Sequence, residues 1–587
     1  MKPPANPAMS AVSLRLPIGR SHFLFALIGF WFAALLLRAL YLQGLQNDFL
    51  QQKGESRYAR VLSISAHRGV ISDRNNELLA ISTPLESIWV SPAEVRLSAA
   101  DRSRLVKLLG LDSIEINRRL ADTSREFLYL KRHVSPERAA TIAALKIPGV
   151  FSQREYKRFY PAGEELAHVI GFTGMDDNGQ EGLELAYQDS LAGKPGSRQV
   201  IKDRRGHIIE QVGSQRAPVN GEDLALSIDR RIQYLAHREL KAAVAANHAR
   251  AGAAIVLDVK TGEVLAMANV PTYNPNNRGK LDRDRTRNRA ITDLFEPGST
   301  LKPFTVAAVL EAGAFNADSV IDVAPGWLRI GRATIRDAHR HDALTVAQVI
   351  QKSSNVGSVK LALSLPPQAL WDIFHDVGFG VPPSSGFPGE AAGKLRAHKS
   401  WKPIEHATMS YGHGISVSLL QLARAYTVFA ADGRLKPVSL IKLDAKSGPV
   451  EGRRVLSPET AKAVREMLET VVQPGGTALK AQIMGYRVAG KTGTAHKAEN
   501  GSYAARRYIS SFVGFAPASD PRLVVAVMID EPNAGQHFGG AVAAPVFSSV
   551  MSGALRMLSV APDAPAGSDA QDILPPDDET IAIKEEI

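Results

Sequence analysis

Phe295-Glu296-Pro297-Gly298-Ser299-Thr300-Leu301-Lys302-Pro303 reads as a turn running into a helix. Pro297-Gly298 makes the turn, and Pro303 is tolerated in a first helical turn because those amides have no intrahelical acceptor. Ser299 then sits at a helix start. Lys302, three positions on, shares its helix face and can approach the serine hydroxyl. A helix amino terminus adds positive potential where an oxyanion would form. Lysine acts as a base only when neutral, so the reading calls for desolvation and a second cation nearby, for which Lys491 is the candidate.

Two more short motifs follow in order, Ser353-Ser354-Asn355 and Lys491-Thr492-Gly493-Thr494. Ser353 can relay a proton to a leaving group, and Asn355 offers an amide to Lys302 or to substrate. Arg487-Val488-Ala489-Gly490 leads into the third motif as a strand, with Gly490 and Gly493 allowing a substrate backbone to lie close. An extended peptide can add to such an edge, with Lys491, Thr492 and Thr494 holding a terminal carboxylate. Each motif alone has an ordinary reading: Ser-x-x-Lys arises by chance, Ser-x-Asn is a frequent helix cap, and Lys260-Thr261-Gly262 is a plain hairpin turn. The set of three, in this order, matches the S-x-x-K, S-D-N and K-T-G pattern of serine acyltransferases and β-lactamases, with Ser354 replacing the middle Asp.

Outward from these motifs, Leu224–Asp229 precedes a helix beginning near Arg230. Ala253–Asp258 and Val264–Ala268, joined by a Gly-containing turn, predict a hairpin buried on both faces. A final strand pair is expected at Ser510–Phe515 and Leu523–Ile529. Between Val61 and Val219, short strands and helices alternate with turn signals such as Asp73-Arg74-Asn75-Asn76 and Asp176-Asp177-Asn178-Gly179, which reads as α+β. The polar run from Gly213 to Gly221 marks a boundary. The expected organisation is a cytoplasmic tail (1–21), a transmembrane helix (22–42), a non-catalytic domain (43–221), a catalytic domain (222–560) and a disordered, Pro- and acid-rich tail (561–587).

From Phe23 to Leu42 the sequence holds one charge, Arg38, and its twenty positions reach ~30 Å, enough to cross a bilayer core. Lys2, Arg15 and Arg20 precede it with no acidic residue, which puts the amino terminus in the cytoplasm and the rest of the chain outside. A cleaved signal peptide is the competing reading, but no A-x-A-like site follows. Leu45, Phe49 and Leu50 keep helical spacing, so the helix is expected to continue over Gln43–Gln51.

The formal charge of +11 comes from 70 Lys+Arg against 59 Asp+Glu, but the basic residues are scattered, without a zinc-finger, RNA-recognition or Lys/Arg-block signature, so nucleic acid is not an expected partner. The absence of cysteine excludes disulfides, thiolate metal sites and thiol catalysis. Asp337, His339, His341 and Asp342 are too close together to surround a zinc ion without a further ligand and read as a solvated loop. No metal and no cofactor are expected.

Beyond the three motifs, Arg68-Gly69-Val70-Ile71-Ser72-Asp73-Arg74-Asn75, Arg158-Phe159-Tyr160-Pro161-Ala162-Gly163, Ala167-His168-Val169-Ile170-Gly171 and Gly179–Glu184 resemble boxes of the non-catalytic domain of class B penicillin-binding proteins. The resemblance covers nearly the whole chain. It implies an α+β fold: a single transmembrane helix, an elongated pedestal (dimerisation-like) domain, and a serine β-lactamase-like transpeptidase domain of antiparallel sheet flanked by helices with a helical subdomain. It implies catalytic roles for Ser299, Lys302, Ser353, Asn355 and Lys491, substrate binding by Thr492, Gly493 and Thr494, and an oxyanion hole of the Ser299 and Thr494 amides. Arg68, Asp73, Arg158 and Glu184 are expected to form a structural ion-pair network.

Within that family the chain is most similar to the septal division peptidoglycan D,D-transpeptidase, through its single anchor and the run Lys491–Lys497. The implied partners are peptidoglycan stem peptides, β-lactam antibiotics, the inner membrane, and division proteins including a polytopic glycosyltransferase (FtsW-like). His496 departs from the pattern, since similar septal enzymes often carry Arg there. Tyr508, Ser511, Phe512 and His537-Phe538-Gly539-Gly540 resemble cleft-lining segments. Three alternatives stay open: an elongation-type transpeptidase; a D,D-carboxypeptidase or β-lactamase, for which Glu390 would have to serve as deacylating base although its context reads as a turn; and a non-enzymatic sensor or scaffold.

Overall fold

The computed structural model describes residues 17–46, 59–92, 95–125, 127–202, 208–211, 216–279, 281–444, 448, 450–499 and 502–564. Helix α1, Ile18–Leu40, begins four residues ahead of the expected span and buries none of its side chains within the protein. With the π-helical turn Tyr41–Leu45 that follows, it is long and apolar enough to cross a membrane. Arg38, the one charge of the apolar stretch Phe23–Leu42, lies in the last turn of α1, stacked over the Tyr41 ring at 5.7 Å. The expected helical continuation therefore runs to Leu45 as a wider turn; residues 1–16 and 47–51 lie outside the described residues.

The chain forms two compact units, one of residues 1–65, 87–153 and 195–219 and the other of residues 66–86, 154–194 and 220–587. The first holds an antiparallel three-stranded sheet of Ala59–Ile64, Gly196–Lys202 and Ile208–Gln211. Its small core gathers Ile88, Val90, Leu105, Leu109, Leu130, Val134 and Ile142. Helix Ala99–Leu109 is capped by Ser98, whose hydroxyl accepts from the Asp101 amide, and ends at Gly110 in the left-handed region.

The second unit is built on an antiparallel sheet of β1 Ala251–Asp258, β2 Val264–Val270, β3 Ala489–Glu499, β4 Ser502–Ala516 and β5 Leu523–Asp530, in the order β2-β1-β5-β4-β3. Every residue of β1, β2 and β5 is buried, so alternation is absent and both sheet faces must be covered. Helices α2 Arg230–Ala246 and α6 Ala544–Met557 pack together against this sheet, and α5 Leu419–Ala430 packs on β1 and β5 as well. Asp229 caps α2, its carboxylate accepting from the Arg231 amide at 3.0 Å. The predicted hairpin and final strand pair are present, and β3 occupies an edge.

The box residues share the second unit. Glu184, fully buried, takes the Arg68 Nε at 2.7 Å on one carboxylate oxygen and the Arg158 Nε at 2.6 Å on the other. Arg68 also donates to the carbonyls of Glu184 and Asp177 and to Gln188 Oε1, and Arg158 to Ser82 Oγ. Asp73 stands apart from this network. Its carboxylate closes the box turn by accepting from the Asn75 and Glu77 amides at 2.7 and 2.8 Å, and it takes the Arg230 amide at the start of α2. An Asp that leads a turn bonds its own following amides before it reaches a distant guanidinium. The first residues of the expected tail are placed: Asp563 accepts from the Arg487 amide and from Ser519, while 565–587 lie outside the described residues.

Candidate active site

Gly298–Leu301 is a 3₁₀ turn, and the α-helix proper, α3 Lys302–Glu311, starts at the lysine. Ser299 thus precedes the helix by one tight turn. Pro303 fits in the first turn of α3, as expected. The turn is fixed from below by Thr300, whose hydroxyl donates to the Pro297 carbonyl at 2.7 Å and whose carbonyl accepts from Tyr426 Oη at 2.8 Å. Thr300 and Lys302 are buried and Ser299 is half-buried.

A segment that sequence reasoning passed over clamps the turn from the side. In Tyr411-Gly412-His413-Gly414, the Gly414 amide donates to Glu296 Oε1 at 2.8 Å and the Gly412 carbonyl accepts from Gly298 at 3.3 Å. Gly412 has φ +87°, and a Cβ there would sit 2.2 Å from the Gly298 carbonyl oxygen. The paired glycines were the available signal, since alternate glycines mark backbone approaching backbone. Gly412→Ala is therefore expected to displace the serine turn and slow acylation by roughly 10²-fold, the penalty of misplacing a reacting group by about 1 Å; single-turnover labelling with a fluorescent penicillin measures it. His413 beside them is pushed down to about 4 by burial, with the charges of His496 and Lys302 adding to the effect, so it is neutral at neutral pH.

Lys302 Nζ donates to the Ser353 carbonyl, to Asn355 Oδ1 at 2.7 Å and to Ser353 Oγ at 3.2 Å. Lys491 Nζ reaches the same Ser353 Oγ at 2.9 Å from β3. Both lysines are 0% exposed. Ser353 can offer its carbonyl and its hydroxyl to one amine because its backbone is left-handed, φ +59°, a strained setting for a side-chain-bearing residue. Burial, then the Lys302 charge, push the Lys491 ammonium well below the ordinary lysine range. Two buried amines sharing one hydroxyl titrate as a pair, and the arrangement favours one proton fewer than two ammonium groups would carry.

On the edge strand, Lys491, Thr492, Gly493 and Thr494 pair with Val513, Phe512, Ser511 and Ser510. Thr492 Oγ1 lies 3.0 Å from Thr477 Oγ1, and Thr494 Oγ1 accepts from the Gly539 amide at 3.1 Å. The two glycines also have a structural reason. A Cβ on Gly490 would strike the Phe512 ring at 2.5 Å, and one on Gly493 would strike Ser511 Oγ at 2.4 Å and the Pro297 carbonyl oxygen at 2.9 Å. They make room for β4 and for the serine turn. Further along, His496 packs on Tyr508 at 4.6 Å between centroids, and Tyr508 stacks on His537 at 4.0 Å. The three motifs, remote in sequence, thus meet around one hydroxyl.

The family profile of the penicillin-binding protein transpeptidase domain matches residues 252–552, and that of the penicillin-binding protein dimerisation domain matches residues 63–226. The chain is a class B penicillin-binding protein. It is 44% identical to the probable peptidoglycan D,D-transpeptidase PenA of Neisseria meningitidis serogroup B over 551 residues, 93% of this chain and 94% of that one. To the peptidoglycan D,D-transpeptidase FtsI of Escherichia coli strain K12 it is 44% identical over 538 residues, 91% and 90% of the two chains. Among solved structures, the apo transpeptidase domain of Burkholderia pseudomallei penicillin-binding protein 3 matches with 49% identity and a TM-score of 0.54, covering 58% of this chain and 98% of that one.

In this penicillin-binding protein the loop expected to be solvated splits in two. His339 and Asp342 are exposed, and among the described residues no group of three or more such side chains could hold a metal ion. Asp337 is different. It sits just past the strand Ala333–Arg336, and its carboxylate is turned onto the second motif. Glu390 is held in its turn, accepting from the Ser385 amide at 2.7 Å.

Proposed function

We propose that this penicillin-binding protein is a peptidoglycan D,D-transpeptidase acting through a Ser299 acyl-enzyme. The observation that carries the reading is the shared hydroxyl: Lys302 and Lys491 meet at Ser353 Oγ, 3.2 and 2.9 Å away. In the microstate of the coupled pair in which Lys302 is the neutral amine, it keeps two N–H donors for the Ser353 carbonyl and Asn355 and a lone pair for the Ser299 proton.

Ser299 Oγ attacks the carbonyl of the penultimate D-Ala in a stem peptide ending in D-Ala-D-Ala. Lys302 takes its proton, and the oxyanion is met by the amides of Ser299 and Thr494. The donor lies along β3 as an added strand, its terminal carboxylate near Thr492, Thr494 and Lys491. The C–N bond breaks, and the departing D-Ala amine receives a proton through Ser353. An amine of a neighbouring stem peptide then attacks the ester and gives its proton to the lysine pair, which passes it to Ser299 Oγ as the C–O bond breaks. One amide is exchanged for another, so no energy cofactor enters the balance. A β-lactam, with its strained amide in the same place, acylates Ser299 and stays.

Residues 222–560 serve as the transpeptidase domain and 43–221 as its pedestal, held by a single-pass anchor in the inner membrane with the catalytic domain in the periplasm. The similarity to FtsI and PenA favours septal duty beside division proteins such as a polytopic glycosyltransferase. Incubation with benzylpenicillin should add one penicilloyl mass, mapped by peptide digestion to Ser299; an unmodified Ser299 peptide would sink the reading. Turnover of penicillin faster than about one per second, near the low end of ordinary enzymes, would favour a hydrolase instead. Depletion should give filaments; round cells would assign the protein to the side wall.

A further inference from the structure

The middle of the second motif is Ser354, where the general pattern has an acid. Ser354 caps helix α4, Asn355–Leu363, its hydroxyl accepting from the Gly357 amide at 2.9 Å. The same hydroxyl donates to Asp337 Oδ2 at 2.6 Å. Asp337 Oδ1 accepts from the Asn355 amide at 2.5 Å and from the Val356 amide at 2.9 Å. One residue earlier, the Arg336 carbonyl accepts from Asn355 Nδ2 at 2.9 Å.

We infer that Asp337 is a positioning residue for the acylation step: from just past the end of a strand, seventeen residues before Ser354, it supplies the carboxylate that the motif lacks at its centre. Each hydrogen bond its carboxylate makes goes to the motif or the first turn behind it, while its backbone amide donates to the Gly326 carbonyl. The first amides of a helix have no partner of their own, and a carboxylate is their strongest acceptor, also favoured by the helix dipole. With its backbone amide fixed by Asp337 and its side-chain amide by Arg336, Asn355 has one free direction for its Oδ1, and that points at Lys302 Nζ, 2.7 Å away. Ser353, one residue before the capped turn, is held in its left-handed conformation by the same anchor, which aims its carbonyl and hydroxyl at the two lysines. Asp337 thus acts on the base through Asn355 and Ser353 without touching substrate.

This inference rests on the acyl-enzyme reading above, and the test separates the two. Single-turnover acylation by a fluorescent penicillin over a concentration series yields the pre-acylation dissociation constant and the acylation rate constant. Asp337→Ala should lower the rate constant roughly 10²-fold, the scale of a displaced catalytic group, with the dissociation constant within threefold. Asp337→Asn, which keeps the shape and can keep two of the three acceptor contacts, should fall between. Returning the acid inside the motif, Asp337→Ser with Ser354→Asp, should recover at least tenfold over Asp337→Ser alone, because Asp is as good a helix cap as Ser. A parent protein that takes up no penicillin would refute the acyl-enzyme reading itself. With a labelled parent, the inference is overturned by an Ala variant with an unchanged rate constant, by a loss confined to the dissociation constant, by failure of the exchange variant to recover, or by a loss that merely follows a thermal midpoint lowered by more than ~10 °C.

Discussion

Ser299→Ala is expected to abolish covalent uptake of penicillin, and Lys302→Met to slow it by about 10³-fold, with both proteins folded. Removing a serine nucleophile costs on the order of 10⁶ in the best-studied case, and the attacking oxygen has no stand-in on the turn, since Thr300 Oγ1 is engaged with Pro297. General base catalysis is typically worth ~10²–10⁴. Methionine matches lysine in length, so the channel through the fully buried position 302 stays filled. It leaves the Ser353 carbonyl and Asn355 Oδ1 without a donor, at about 1–3 kcal/mol, but it also removes one of two amines crowded on a single hydroxyl. The two terms oppose each other, so the thermal midpoint should move by no more than a few degrees in either direction. Gel fluorescence after labelling and a melting curve on the same samples check both halves; a Ser299→Ala protein that labels like the parent would remove Ser299 from the chemistry.

How much of this was readable in advance depended on the range of each interaction. The amino-terminal apolar helix, the β1–β2 hairpin and the β4–β5 pair are written in local apolar runs, and the structure has them, most ends shifted by a few residues and β4 starting eight residues earlier than expected. The resemblance of the boxes implied an ion-pair network of Arg68, Asp73, Arg158 and Glu184, and the structure has three of the four joined as a buried Arg68–Glu184–Arg158 network. Asp73 was misassigned to that network because its true partners are backbone amides, which a sequence does not display. Asp337 was assigned to a solvated loop for the same reason: its donors are two amides and a hydroxyl brought to it by the fold, and its histidine neighbours drew attention to metal chemistry. Gly490 and Gly493 illustrate a second limit. Their lack of a side chain was evident, yet whether that space admits a ligand or a neighbouring strand is decided by Phe512 and the Pro297 turn, far away in the chain.

Glu184→Ala should destabilise the second unit by about 3–5 kcal/mol, the usual cost of breaking a buried ion pair from one side. The side chains of Arg68, Glu184 and Arg158 are 1%, 0% and 1% exposed, so the variant strands two guanidinium groups that water cannot reach and that now repel each other. Because the unfolding entropy, ~2.1 cal/mol/K per residue, grows with size, in a unit of over 400 residues the thermal midpoint should fall by roughly 4–6 °C. Glu184→Gln keeps the shape but not the charge, and should lose most of the same amount. A triple change, Arg68→Met with Glu184→Leu and Arg158→Met, should be far less harmful than Glu184→Ala alone, because the desolvation of three charges disappears together with their attraction. At a temperature where Glu184→Ala remains folded, its penicillin acylation rate should match the parent, since the network has no contact with Ser299, Lys302 or Lys491. A midpoint shift below ~2 °C would mean that apolar packing around the boxes holds this part of the unit without the carboxylate. A stable variant with slow acylation would instead tie the network to the site through the fold.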